Sequence, residues 1–187
     1  AIYDMGGPVF HPIRAEESEL LLSLCNSPFA ERIFDVLNPT MHLKVHDVKS
    51  LPVVEVDSQA VIKATNVCVN IARADWDNFE TSWDFHDQPL LRNGLKKQTL
   101  EKSWEEWATY LRRNISLMKE LETMNNRLWI EAYGLQEELT PEVPEVKITL
   151  ARPDRRKDLA TFLSYAVGCM MGRYSLDKAE LILADSG

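Results

Sequence analysis

The chain has 187 residues, 45% of them hydrophobic, and a formal net charge of −8 from 21 basic and 29 acidic side chains. The apolar content suits one domain with a core or two small ones, and the acidic balance argues against a free-standing nucleic-acid binder, whose binding face is basic. No apolar run reaches the roughly 18 residues of a membrane span, and the amino terminus lacks a signal pattern, so a cytoplasmic protein is expected.

The residue pattern predicts a mainly helical chain with a few short strands, an α+β fold. It is built on one helix of about 33 residues and several shorter packed ones. Residues 3–8 read as a strand leaving through a turn, and residues 9–13 as an extended piece broken by Pro12. A helix from Glu16 to Cys25 would bury Leu20, Leu21, Leu24 and Cys25. Asn26-Ser27-Pro28 interrupts it, because proline suits a first helical turn and not an interior one. A second helix from Pro28 to about Leu37 would bury Phe29, Ile33, Phe34 and Leu37, and Asn38-Pro39 would end it. Leu43, Val45 and Asp47 alternate with polar neighbours, a strand signal.

Ser58 is a plausible cap for a helix to about Ala74, with Val61, Ile62, Thr65, Cys68, Val69 and Ala72 at helical spacing. Residues 75–85 follow no single period. They read as an ordered loop clamped by Trp76, Phe79, Trp83 and Phe85, since rings are costly to leave in water. From Thr99, Leu100, Trp104, Trp107, Leu111, Ile115, Met118, Leu121, Asn125, Leu128 and Ala132 step by threes and fours, giving a helix over 99–133. Gly134 would end it in a left-handed cap. Val146, Ile148 and Leu150 alternate as a short strand. Asp154 then caps a terminal helix over 154–171, with Leu159, Phe162, Leu163, Ala166, Val167 and Met170 inward and Gly172 as the stop. This divides the chain into a mixed region, residues 1–57, and a helical domain, residues 58–187.

Few residues offer chemistry. A nucleotide-type cofactor such as S-adenosylmethionine needs a glycine-rich strand-to-helix turn, and the glycine pair Gly6-Gly7 is followed by Pro8. An adenine methyltransferase holds the flipped base with an acid or amide, two prolines and an aromatic. Asn38-Pro39-Thr40 supplies only the first half, so Asn38-Pro39 reads as a helix stop. Of the dispersed histidines His11, His42, His46 and His86, His42 and His46 lie four apart beside Asp47, but strand-like surroundings disfavour a metal pair. Asp75, Asp77, Glu80 and Asp84 read as acids that bond the amides of their own loop. Cys25, Cys68 and Cys169 sit apart among apolar residues, as free thiols do. No catalytic, cofactor-binding or metal residue is assigned.

Arg152, Arg155, Arg156 and Lys157 form the one dense basic cluster. Three of them open a helix, where the dipole disfavours cations. Either an anionic partner such as DNA phosphate compensates, or the cluster pairs with Glu137, Glu138, Glu142 and Glu145. The chain lacks an initiator methionine and ends just after Leu181-Ile182-Leu183, as an internal piece of something larger would.

Four stretches together resemble the PglX family, the large adenine-specific DNA methyltransferases of BREX phage-exclusion systems. They are Leu37-Asn38-Pro39-Thr40 through residues 47–53, residues 75–85 (Asp75-Trp76-Asp77-Asn78-Phe79 onward), Asn126-Arg127-Leu128 with residues 133–143, and residues 164–177 (Ser164-Tyr165-Ala166-Val167-Gly168 onward). The resemblance implies an upstream Rossmann-like domain that holds S-adenosylmethionine and the catalytic motif, with this chain following it as a non-catalytic segment that helps form the DNA-binding and target-recognition part. Residues 1–57 would close the mixed post-catalytic region. The partners implied are DNA, the catalytic domain and other defence-system proteins. An alternative in a different class is a helical docking module for those proteins; steeply salt-dependent DNA binding would separate the two.

Overall fold

A computed structural model describes Arg14 and residues 17–38 and 44–176. Among them are six α-helices and two short 3-10 turns. These are α1 (Glu17–Cys25), α2 (Pro28–Leu37), α3 (Val45–Lys49), α4 (Ser58–Trp76), α5 (Leu100–Tyr133) and α6 (Arg155–Met170), with the turns at Pro89–Leu91 and Glu145–Lys147. No strand occurs among the described residues, so the expected α+β class is corrected to an all-helical one. Two local causes account for the difference. Val45–Lys49 is helical because the Asp47 carboxylate accepts the Lys44 amide at 2.8 Å, closing a helical turn within the segment. Ile148 and Leu150 are buried and Val146 is exposed, so their alternation is real. The carbonyls of Ile148 and Leu150 instead accept from the guanidinium of Arg152, at 2.8 and 2.6 Å, where a strand would need a neighbour. The expected extended pieces in residues 1–13 lie outside the described residues, as do His11 and His42.

The chain forms two compact units, one from residues 1–69 and 119–147, the other from residues 70–118 and 148–187. Both α4 and α5 therefore contribute residues to each. In the first unit, Leu24, Phe29, Ala30, Leu51, Val61 and Trp129 make the core. Trp129 is wholly buried and donates its indole N–H to Ser23 Oγ at 2.9 Å. The ring of Phe29 stacks on Tyr133, whose hydroxyl donates to the Pro52 carbonyl. Ser27 caps α2 by accepting the Ala30 amide, and Pro28 fills its first turn as expected. Leu37, expected inside, is 46% exposed. The cap of α4 is Asp57 and not Ser58: Asp57 Oδ1 accepts the Ala60 amide at 3.2 Å. On the partner helix, Asn125 is buried and donates to Thr65 Oγ1. Gly134 takes φ +69 and the Leu135 amide reaches back to Ile130, the expected ending of α5.

The second unit has two clusters. Leu90, Trp107 and Leu111 form one, with Trp104, Ala151 and Phe162 packed against it. Phe85, Tyr165 and Tyr174 form the other. Tyr165 and Tyr174 stack 4.9 Å apart, and Phe85 meets both edge-on. Asp154 caps α6 and Gly172 closes it at φ +77, as the sequence predicts. The buried face of α6 matches the expected one only in part: Leu159, Phe162 and Ala166 are half-buried, Phe162 against the Leu90 cluster. The face carries Asp158, Tyr165 and Gly168, while Leu163 (63%), Val167 (47%) and Met170 (78%) stand exposed. Gly168 decides this: a Cβ there would lie 2.6 Å from the Tyr174 ring, so the aromatic pair can close only over a glycine. The aromatic clamp of residues 75–85 also holds only in part. Phe85 is buried, yet Trp76 is 59% exposed and Trp83 fully so.

Candidate nucleic-acid interface

The basic cluster lies where the segment after Ile148 enters α6, and every partner described below belongs to the second unit. Asp75, near the end of α4, is buried and accepts the Ala151 amide through Oδ2 at 3.0 Å. Its other oxygen has no hydrogen-bond partner. Burial raises the Asp75 pKa above the ordinary carboxylate value, while the Ala151 N–H and the nearby Arg152 charge act in the opposite sense. Asp75 therefore fixes the backbone from which Arg152 extends, and Arg152 in turn ties down Ile148 and Leu150.

At the helix start, Asp154 Oδ1 accepts the amides of Arg156 and Lys157, at 3.0 and 3.1 Å. Asp158 is buried, and its Oδ2 accepts both the Asp154 amide and the indole N–H of Trp104, at 3.2 and 3.0 Å. Two carboxylates thus occupy the positive end of the helix and offset the cations placed there. The Arg156 and Lys157 amides are thereby engaged, and the side chains are the groups that an anion would meet. Arg155 lies 5.8 Å from the centre of the Trp104 ring and pairs with Glu101 at 3.3 Å, both groups being largely exposed. Lys157 stands 5.7 Å over Phe79. Arg156 has no ion-pair partner among the described residues. The two ring contacts align the cations without neutralising them, worth about 0.5–1 kcal/mol each at exposed sites. The acid that Arg155 meets is Glu101, not one of Glu137, Glu138, Glu142 or Glu145. Glu101 was not singled out in the sequence. Its place in the first turn of α5, 54 residues before Arg155, carries no local signal.

The other candidates fill structural roles. Asn38 caps α2 and donates its side-chain amide to Asp47 Oδ2 at 2.7 Å, while Pro39 and Thr40 lie outside the described residues. The bonds from Asn38 and then the Lys44 amide hold the Asp47 carboxyl below its usual pKa. Among the described residues no group of three His, Cys, Asp or Glu side chains could hold a metal. The acids of residues 75–84 do not serve their own loop's amides as expected: Asp77 accepts from the Ser82 hydroxyl and Glu80 from Tyr174. For S-adenosylmethionine the described residues are a poor fit. They contain no strand from which a glycine turn could lead into a helix, and Gly134 and Gly172 close helices. No helix among them is long and apolar enough to cross a membrane.

No family model matches the sequence. The chain is 33% identical over 166 residues to the adenine-specific methyltransferase PglX of Lacticaseibacillus casei (strain Zhang), covering 87% of this chain and 14% of that protein. It is 25% identical over its whole length to the adenine-specific methyltransferase BrxX of Escherichia coli O9:H4 (strain HS), covering 16% of that protein. The chain thus spans about a seventh of the curated relatives it matches, and over nearly all of its own length it is a relative of the PglX-type adenine-specific methyltransferases.

Proposed function

We propose that this chain is a non-catalytic segment of a cytoplasmic, S-adenosylmethionine-dependent adenine-specific DNA methyltransferase of a phage-defence system, and that Arg152, Arg155, Arg156 and Lys157 contact the DNA backbone. The observation that carries the reading is the identity to PglX over 87% of the chain. Methylation would mark host DNA as self. The cofactor and the catalytic motif would lie in the part of the enzyme that this chain does not match, with the basic edge serving to hold the duplex. Support for the edge comes from its geometry. Arg155, Arg156 and Lys157 project from a capped helix start, two of them are oriented by rings, and the Arg156 and Lys157 amides are engaged by Asp154, while Arg152 borders them from the segment it braces. Such side chains fix position on the phosphates and do not read bases.

The test is to change all four residues to alanine in the intact methyltransferase. DNA affinity should fall and its salt dependence flatten, by up to about 0.9 per lost phosphate contact in the log–log slope, with the methylated sequence unchanged. Unaltered affinity and slope would reject the edge as a DNA contact.

A second reading, a docking module for other defence-system proteins, draws on the apolar face of α6. Leu163, Val167 and Met170 recur at helical spacing and are exposed, with Met171 beside them at 75%. A surface stripe of this kind is how a helix meets a partner.

A further inference from the structure

Trp83 has the most exposed ring among the described residues, and the segment that carries it is firmly held. The Ser82 hydroxyl donates to Asp77 Oδ1 at 2.6 Å and accepts the Asp84 amide at 3.1 Å. Two residues beyond Trp83, Phe85 is held edge-on against the stacked Tyr165 and Tyr174. Glu80, on the other side, accepts the Tyr174 hydroxyl at 3.2 Å. The indole is therefore displayed from a segment pinned before and after it. A large rigid ring left wholly in water forfeits the burial that such side chains normally obtain. Trp83 lines an open pocket of about 460 Å³ whose charged walls are Glu80, Asp84 and Arg173. Arg173 is engaged over the Tyr174 ring, 5.3 Å from its centre, and the acids Glu80 and Asp84 line the same pocket as the exposed indole.

We propose that this pocket receives an arginine side chain from a basic segment of a partner protein, the guanidinium stacking on Trp83 and paired with Asp84 and Glu80. A planar cation gains from the indole face and from carboxylates in one placement. The charge of the whole chain, −8, favours a basic partner over a nucleic acid at this point. The proposal does not depend on the DNA reading. Trp, Tyr and Arg are the residues on which interface energies concentrate.

The test follows the indole N–H resonances of the chain during titration with a short capped peptide containing arginine. The control is the same peptide with citrulline, which keeps the shape and loses the charge. The Trp83 signal, identified by its loss in Trp83→Phe, should shift with a dissociation constant of about 1 mM or tighter. The citrulline peptide should leave it in place. Asp84→Asn should weaken the binding about threefold or more. Both substituted side chains are exposed, so the resonance of Trp107, buried in the core of the same unit, should stay fixed in each variant and report an intact fold. An equal shift with citrulline, no shift with arginine, or a shift produced only by a single-stranded oligonucleotide would each overturn the proposal.

Discussion

The Asp75 carboxylate is 9% exposed and bonded through one oxygen only. Desolvation dominates there, so its pKa in the folded chain stands above the unfolded value of about 3.9. A carboxyl shifted upward binds more protons in the native state. Its contribution favours the fold most fully below the unfolded pKa and is lost as pH rises through the raised one. Asp75→Asn keeps an acceptor for the Ala151 amide and removes the titration. Relative to the variant, the parent chain should therefore lose stability as pH rises from about 4 toward neutrality. Urea midpoints of both across that range give the measurement, and a constant difference would contradict the assignment. Residue-scale roles of this sort were only partly legible. Asp75 was visible as an acid among aromatics, but its partner Ala151 is 76 residues away. Trp83 and Trp129 look alike as letters, yet one is fully exposed and the other wholly buried. The long stripe passed over Trp129 because it followed a single seam of α5, and that end of the helix also contributes Trp129 and Ile130 to burial.

Among the elements, the long helix was the most legible. Its period holds over many turns, and Trp107, Leu111, Ile115, Met118 and Asn125 are all buried. Caps were legible for a related reason. Asp154, Pro28, Gly134 and Gly172 act through bonds and dihedrals inside a few residues. What stayed hidden depended on distant partners. The strand-like alternation of residues 146–150 found an arginine in place of a neighbouring strand. The inward face of α6 was chosen by ring packing over Gly168 and by the Trp104–Asp158 bond, against the pull of its leucine, valine and methionine side chains. Gly168→Ala tests that account. The added carbon would meet Tyr174 Cδ2 at 2.6 Å and Cε2 at 2.9 Å, and Tyr174 is buried against Tyr165. Relief requires the stacked pair to separate, so the change should cost about 1–3 kcal/mol. Denaturant unfolding with near-ultraviolet circular dichroism would report both the loss and the disturbed tyrosines. A neutral substitution would mean that the stack is not what holds α6 in its rotation.

At the scale of the whole molecule, charge and length bear on the same point. A net charge of −8 is unfavourable to general nucleic-acid affinity, yet four cations are concentrated within residues 152–157, three of them at one helix start. That arrangement suits a piece of a larger enzyme better than an independent binder, and the chain matches only 14% of PglX and 16% of BrxX. A cofactor site of the methyltransferase kind draws its ligand against the backbone at a glycine turn between strand and helix. In the described residues every ordered element is helical, and Asn38, the one residue that begins to resemble a catalytic motif, is spent on capping α2 and bonding Asp47. The 187-residue chain alone should therefore produce no binding heat when titrated with S-adenosylmethionine to about 1 mM, and should transfer no methyl group to DNA. A dissociation constant in the micromolar range would mean that a cofactor site is assembled from residues to which the sequence and the fold assign other work.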